Sequence, residues 1–143
     1  MTIVETPSNF TTLGLIPPLL TRLLELKYQQ ATPIQTQAIP CVLAGHDLIA
    51  GANTGSGKTA SFALPLLQQL YLDSTVVNKA HQGNYVSQLV LVPTRELAKQ
   101  VADSIKSYAA HFNGKIKTVA VFGGVSVNSQ MLALRGGTDI LVA

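Results

Sequence analysis

The sequence predicts an α/β fold: a parallel sheet with helices on both faces. Three observations carry this. Apolar runs such as Leu89-Val90-Leu91-Val92 and Ile140-Leu141-Val142-Ala143 lack the polar alternation of a half-exposed strand, as strands buried on both faces do. Between these runs lie stretches with helical spacing, so strands and helices alternate along the chain. A glycine-bearing loop, residues 51–57, links an apolar run to the start of a helix.

Each element has its own justification. Pro17 and Pro18 suit a helix start, and Leu19, Leu20, Leu23, Leu24 and Leu26 give that helix one apolar side up to Tyr28. Thr32-Pro33 reads as an N-cap followed by proline at the first helical position. Pro40 is expected to restart a second short helix that ends near Gly45. Leu48-Ile49-Ala50 is a short buried strand entering the glycine loop, and a helix follows from Lys58 to Asp73 with a kink or break at Pro65. Residues 74–88 form a polar surface loop with Asn78, Gly83 and Asn84 as turn signals. Leu89 to Val92 is a second strand. Leu97, Ala98, Val101, Ala102, Ile105, Tyr108 and Phe112 then share one helix face. Ile116 to Phe122 is a third strand, Gly123-Gly124 a turn, Ser126 a cap for a helix to Leu134, and Asp139 to Ala143 a fourth strand.

Composition sets the bounds. The 143 residues suffice for one domain and not two. Apolar residues make up 47% and charged residues only 12%, which excludes intrinsic disorder. No apolar run approaches the roughly 20 residues of a membrane span. The first ten residues hold Glu5 and no Lys or Arg, unlike a signal peptide. Cys41 is the single cysteine and lies in an apolar helix, so it is expected in the core of a protein from a reducing cytoplasm. The net charge of +3 is scattered, with Lys115 and Lys117 the only close basic neighbours, and by itself argues weakly for nucleic acid. His46, His81 and His111 lack ligand spacing, so no zinc site is expected.

Ala52-Asn53-Thr54-Gly55-Ser56-Gly57-Lys58-Thr59 follows an apolar run and opens a helix, the context a phosphate-binding loop requires. Gly55 and Gly57 let the backbone curl around phosphates, Lys58 would reach the β/γ-phosphates, and the Thr59 hydroxyl would ligate Mg²⁺. Alanine at position 52 stands where the strict pattern has glycine. Gly55 to Ala60 also fits a dinucleotide-binding pattern, but the next strand ends in Pro93-Thr94 rather than in the acid that pattern needs. Nucleoside triphosphate binding is the reading these residues support.

Around this loop stand Ala31-Thr32-Pro33-Ile34-Gln35 upstream, and Pro93-Thr94-Arg95-Glu96-Leu97-Ala98 and Gly123-Gly124 downstream. In this order the set resembles the DEAD-box family of ATP-dependent RNA helicases, over Phe10 to Ala143. The resemblance implies the N-terminal part of a first RecA-like domain. Residues 1–45 would be the Q-motif region and 46–143 would run from the phosphate loop to the fourth strand, with the second RecA-like domain absent. It implies ATP and Mg²⁺ as cofactors, RNA as partner, and a cytoplasmic protein without a membrane anchor. Gln35 matches the family's adenine-reading glutamine, a role suited to an amide that donates and accepts at once. Thr32 belongs to the same motif, and Phe10 resembles the upstream aromatic that packs on the base. Taken alone, Gln35 would read as a solvated helix residue and Phe10 as core. Lys27 and Ala31 depart from the family's glycine and proline, which touches only the local turn. Pro93, Thr94 and Arg95 match the family's motif Ia, and Gly123-Gly124 its GG element, both of which meet RNA.

No two acidic residues are adjacent, so the Asp-Glu-Ala-Asp element is missing from this sequence. A P-loop NTPase needs such an acid for its metal, and Asp139 begins its strand instead of following one. The 143-residue chain alone is therefore expected to bind nucleotide at most, with RNA-stimulated hydrolysis and duplex unwinding belonging to a longer parent. Competing readings are another P-loop NTPase, such as a DNA helicase or nucleotide kinase, and a non-catalytic nucleotide-sensing or RNA-binding module. An exposed apolar sheet edge would favour self-association.

Overall fold

Proline decides where the first helices begin. The computed structural model of the chain describes residues 9–76, 85–113 and 116–143, so Asn78, Gly83, Asn84, His81 and Lys115 lie outside the described residues. These residues fall into two compact units that divide after Gln68. In the first unit, α1 (Pro17–Glu25) carries prolines in its first turn, where a missing N–H leaves no helical bond unmade. Leu19 and Leu23, one turn apart, are its buried side chains. α1 stops earlier than Tyr28 because the chain turns back at its end: Lys27 N–H donates to Leu24 O at 3.0 Å and Tyr28 N–H to Leu23 O at 2.9 Å. Lys27 takes φ +62° to make this turn, a conformation that usually falls to glycine.

Helix α2 (Pro33–Leu43) begins at N-cap Thr32 and buries Gln35, Ala38 and Ile39. It is one helix and not two. Proline's fixed φ is already helical, so Pro40 removes one hydrogen bond without ending the element. The ending falls at Gly45, as expected, where φ is +80° and the Gly45 and His46 N–H groups donate to Val42 O and Cys41 O at 3.0 and 3.2 Å. Cys41 is half-buried rather than fully in the core.

Leu48-Ile49-Ala50 is not a buried strand. These residues pair with no strand among the described residues, and Ile49 is fully exposed. A strand exists only through ladder bonds to a neighbour, which an apolar run does not supply by itself. The following helix, α3 (Lys58–Val76), continues through Pro65 and extends past Asp73. Pro65 is fully buried, and Ala60, Ala63, Leu64 and Leu67 around it are likewise in the core, so apolar burial outweighs one absent bond.

The second unit holds a three-stranded parallel sheet in the order β1-β3-β2, formed by β1 (Val86–Val90), β2 (Thr118–Ala120) and β3 (Thr138–Val142). Gln88 is in register with Ile140, and Val119 with Leu141. β1 starts earlier than expected and β2 is shorter than the apolar run around it. Central β3 is buried at four of five positions, whereas β1 leaves Leu89 open to solvent. Helix α4 (Arg95–Tyr108) buries Ala98, Val101, Ala102, Ile105 and Tyr108 at helical spacing and packs against β2 and β3. A 3-10 turn (Ala109–Phe112) follows, and Phe112 stacks on Tyr71 with centroids 4.5 Å apart. Helix α5 (Val127–Leu134) starts after Ser126 but buries no side chain, so the expected second cover is incomplete among the described residues. Buried Asp139 closes the start of the sheet: its carboxylate accepts from Lys117 N–H at 2.7 Å and from the Tyr85 hydroxyl at 3.4 Å.

Candidate functional site

Each unit presents one cluster of the residues singled out from the sequence. In the first unit the chain curls from Ala52 to Gly57 before α3 begins. Gly55 and Gly57 adopt φ +80° and +84°, and Ser56 N–H donates to Asn53 O at 3.2 Å. Side chains at those φ values are strained, so glycine is required by the curl itself. Asn53, Thr54, Gly55 and Lys58 are exposed, while Ala52, Ser56, Gly57 and Thr59 are half-buried. The first backbone bond of α3 runs from Ser61 N–H to Gly57 O at 3.2 Å, so the N–H groups of Lys58, Thr59 and Ala60 have no helical acceptor. Lys58 Nζ donates to Ala52 O and so reaches back across the loop.

This donor set fits a polyphosphate. Free helix-start N–H groups, a lysine amine and the positive end of a helix dipole converge on one loop. Ser56 Oγ is buried there without a hydrogen-bond partner, an orphan group that a phosphate oxygen would satisfy. For a divalent cation the loop offers the Thr59 hydroxyl. No cluster of three His, Cys, Asp or Glu side chains suited to a metal occurs among the described residues. Mg²⁺ fits this arrangement because it is commonly held by few protein ligands together with phosphates and water.

Gln35 is built into the same loop. Only 1% exposed, it accepts from Thr32 N–H through Oε1 at 2.9 Å and donates through Nε2 to Gly57 O at 3.2 Å. A Cβ at Gly57 would overlap Gln35 Nε2 and lie 3.3 Å from Thr32 Oγ1. Gly57 thus answers two demands, a left-handed turn and the approach of an amide. Thr32 Oγ1 is itself buried without a partner. The Gln35–Gly57 bond was not foreseen from the sequence. Its one local signal is the Thr32-x-x-Gln35 spacing, which turns a glutamine back onto the N-cap. Phe10 lies in a 3-10 turn (Phe10–Thr12), is 2% exposed and meets Tyr28 edge-on at 6.3 Å. Here its ring is a core ring.

The second cluster lies at the sheet end of the other unit. Thr94 caps α4 by accepting from Leu97 N–H at 3.2 Å, and Pro93, Thr94 and Arg95 are exposed. Arg95 Nη1 donates to Gly123 O at 3.4 Å, which joins two elements 28 residues apart in sequence. Gly124 has φ +83°, and a Cβ there would overlap Arg95 Nη1. Arg95, Glu96, Lys99, Phe122, Gly123 and Val125 line a groove of about 250 Å³ at this turn. Exposed cations beside a glycine turn make a surface suited to a phosphate backbone.

The family model described as DEAD/DEAH box helicase matches residues 32–143. The chain is 45% identical to the ATP-dependent RNA helicase DeaD of Escherichia coli K12, over 96% of this chain and 20% of that protein. It is 38% identical to the DEAD-box ATP-dependent RNA helicase RhpA of Helicobacter pylori, over 94% of this chain and 25% of that protein. The chain therefore spans about a fifth to a quarter of the length of these relatives. Among solved structures, the RNA helicase Prp28 of Chaetomium thermophilum bound to ADP superposes with a TM-score of 0.81 at 37% identity, covering all of this chain and 34% of that one. A DEAD box protein of Methanococcus jannaschii gives 0.77 at 35% identity, over 94% and 34% of the two chains. These neighbours share the RecA-like α/β fold. The match over residues 32–143, which takes in the glycine loop 52–59, Gln35, Arg95 and both turn glycines, shows that the chain belongs to the DEAD/DEAH box helicase family.

Proposed function

We propose that the protein carrying this chain is a cytoplasmic, ATP-dependent RNA helicase, and that this chain supplies its adenine-nucleotide seat and part of its RNA surface. The observation that carries the reading is the Gln35–Gly57 contact, because it joins a base-reading amide to a phosphate loop within one unit. Ala52 to Thr59 hold the phosphates, Lys58 exchanges its bond to Ala52 O for a phosphate oxygen, and Thr59 faces the Mg²⁺. Gln35 keeps one N–H and one acceptor lone pair beyond its two bonds, enough for an adenine edge once the base displaces the groups that bury it. Phe10, with Thr32, backs the base site from the core side. ATP, when bound, supplies the phosphoanhydride whose cleavage drives the RNA cycle. Pro93, Thr94, Arg95, Gly123 and Gly124 take the RNA backbone. The chain on its own binds nucleotide without turning it over, since no Asp-Glu pair stands in its sequence.

A fluorescent nucleotide panel tests this. The chain should prefer adenosine over guanosine diphosphate by about tenfold or more, the scale of one unmade hydrogen bond. Gln35→Ala should erase that preference, and Lys58→Ala should weaken every nucleotide. Equal affinity for both bases would favour a different P-loop NTPase. RNA-stimulated hydrolysis by the chain, lost on Lys58→Ala, would overturn the assignment of turnover to a longer protein.

A further inference from the structure

Helix α5 has an odd place in the fold. It buries none of its side chains, and Val127, Met131 and Leu132 are exposed, so apolar packing does not explain how it is anchored. One of its amides bonds the backbone just beyond β2. Half-buried Gln130 accepts from Phe122 N–H through Oε1 at 2.8 Å and donates to Phe122 O through Nε2 at 3.1 Å. Both polar groups of a single residue are thus taken by a single side chain.

That residue is where the chain leaves the sheet. Val121 N–H still donates to Val142 O at 2.8 Å, but the next residue, Phe122, meets Gln130 instead of a strand. One residue later Gly123 O accepts from Arg95, and Gly124 turns with φ +83°. The N–H groups of Gly123, Gly124 and Val125 find no acceptor among the described residues. A guanidinium and three open N–H groups therefore share one turn, a donor set for a phosphate oxygen.

We propose that Gln130 is a positioning residue for the RNA surface: by holding Phe122 it fixes where the Gly123–Gly124 turn begins and so aligns the turn's N–H groups with Arg95 on one backbone phosphate. The proposal rests on the RNA reading given above. It differs from a stabilising role because its effect passes through Arg95.

The test is a double-mutant cycle on the 143-residue chain, read by anisotropy of a fluorescein-labelled single-stranded oligouridine at low salt. Fluorescent ADP is titrated in parallel. Gln130→Met removes both bonds while keeping length and helix propensity. It should weaken RNA binding about tenfold, the size of one hydrogen bond to a charged group, with ADP affinity within about twofold of the parent. Arg95→Ala should weaken RNA similarly, and the double variant should be no weaker than Arg95→Ala alone. Unchanged RNA affinity in Gln130→Met, or additive losses in the double variant, would overturn the proposal. The sequence alone leads to the expectation that this chain binds nucleotide at most, but the exposed Arg95 beside the Gly123–Gly124 turn should give it weak RNA affinity at low salt. A parent chain that binds ADP but no RNA there would overturn the RNA reading beneath the proposal, and the proposal with it.

Discussion

Three glutamines do work that charged residues do in many domains, and each does it with both ends of its amide. Gln35 joins Thr32 N–H to Gly57 O, Gln68 joins Ile16 N–H to Gly14 O at 2.9 Å each, and Gln130 holds Phe122. An amide can satisfy a donor and an acceptor together without burying a charge. This suits a chain that is only 12% charged. Gln68 is 7% exposed, so Gln68→Met should strand two backbone groups and cost about 2 kcal/mol in urea denaturation. A variant as stable as its parent would show that water replaces the amide freely. Lys27 is the opposite case, a residue held in a conformation it disfavours at φ +62°. Lys27→Gly should stabilise the chain by about 1 kcal/mol, a rise in Tm of about 2–4 °C. A lower Tm would mean that the lysine side chain contributes more than its backbone strain costs.

At the scale of elements, proline and glycine acted differently from one another. Pro17, Pro18 and Pro33 mark helix starts and Gly45 marks a helix end, all as their local chemistry dictates. Pro40 and Pro65 do not break their helices, because the loss of one bond is offset by buried neighbours such as Ala38, Ile39, Leu64 and Leu67. The strands show the same dependence on context. Thr138 to Val142 became a buried central strand because β1 and β2 flank it, whereas Leu48 to Ala50, an apolar run too, is exposed and takes no strand form among the described residues.

For the whole molecule, the exposed apolar surface is the dominant feature. Tyr85, Val86, Met131 and Leu132 help line an apolar hollow of about 630 Å³, and Leu89 and Leu91 lie open on and beside β1. No helix among the described residues is long and apolar enough to cross a membrane. Among the described residues β1 is an edge strand, and an edge bearing exposed leucines favours pairing with another chain. Sedimentation velocity should therefore show concentration-dependent self-association of the chain, reduced by Leu89→Lys. A single monomer species at high concentration would contradict this.

Short stretches of sequence were enough for the glycine loop before α3, the helix starts at Pro17 and Pro33, the family and the α/β alternation. These rest on residues within a few positions of one another, where φ preferences and capping act locally. Packing brings Gln35 to Gly57 and Arg95 to Gly123, and leaves Leu48 to Ala50 outside the strands among the described residues. Each of those outcomes depends on which distant backbone group comes within about 3 Å of a donor or acceptor. That proximity is a property of packing, and no local preference encodes it.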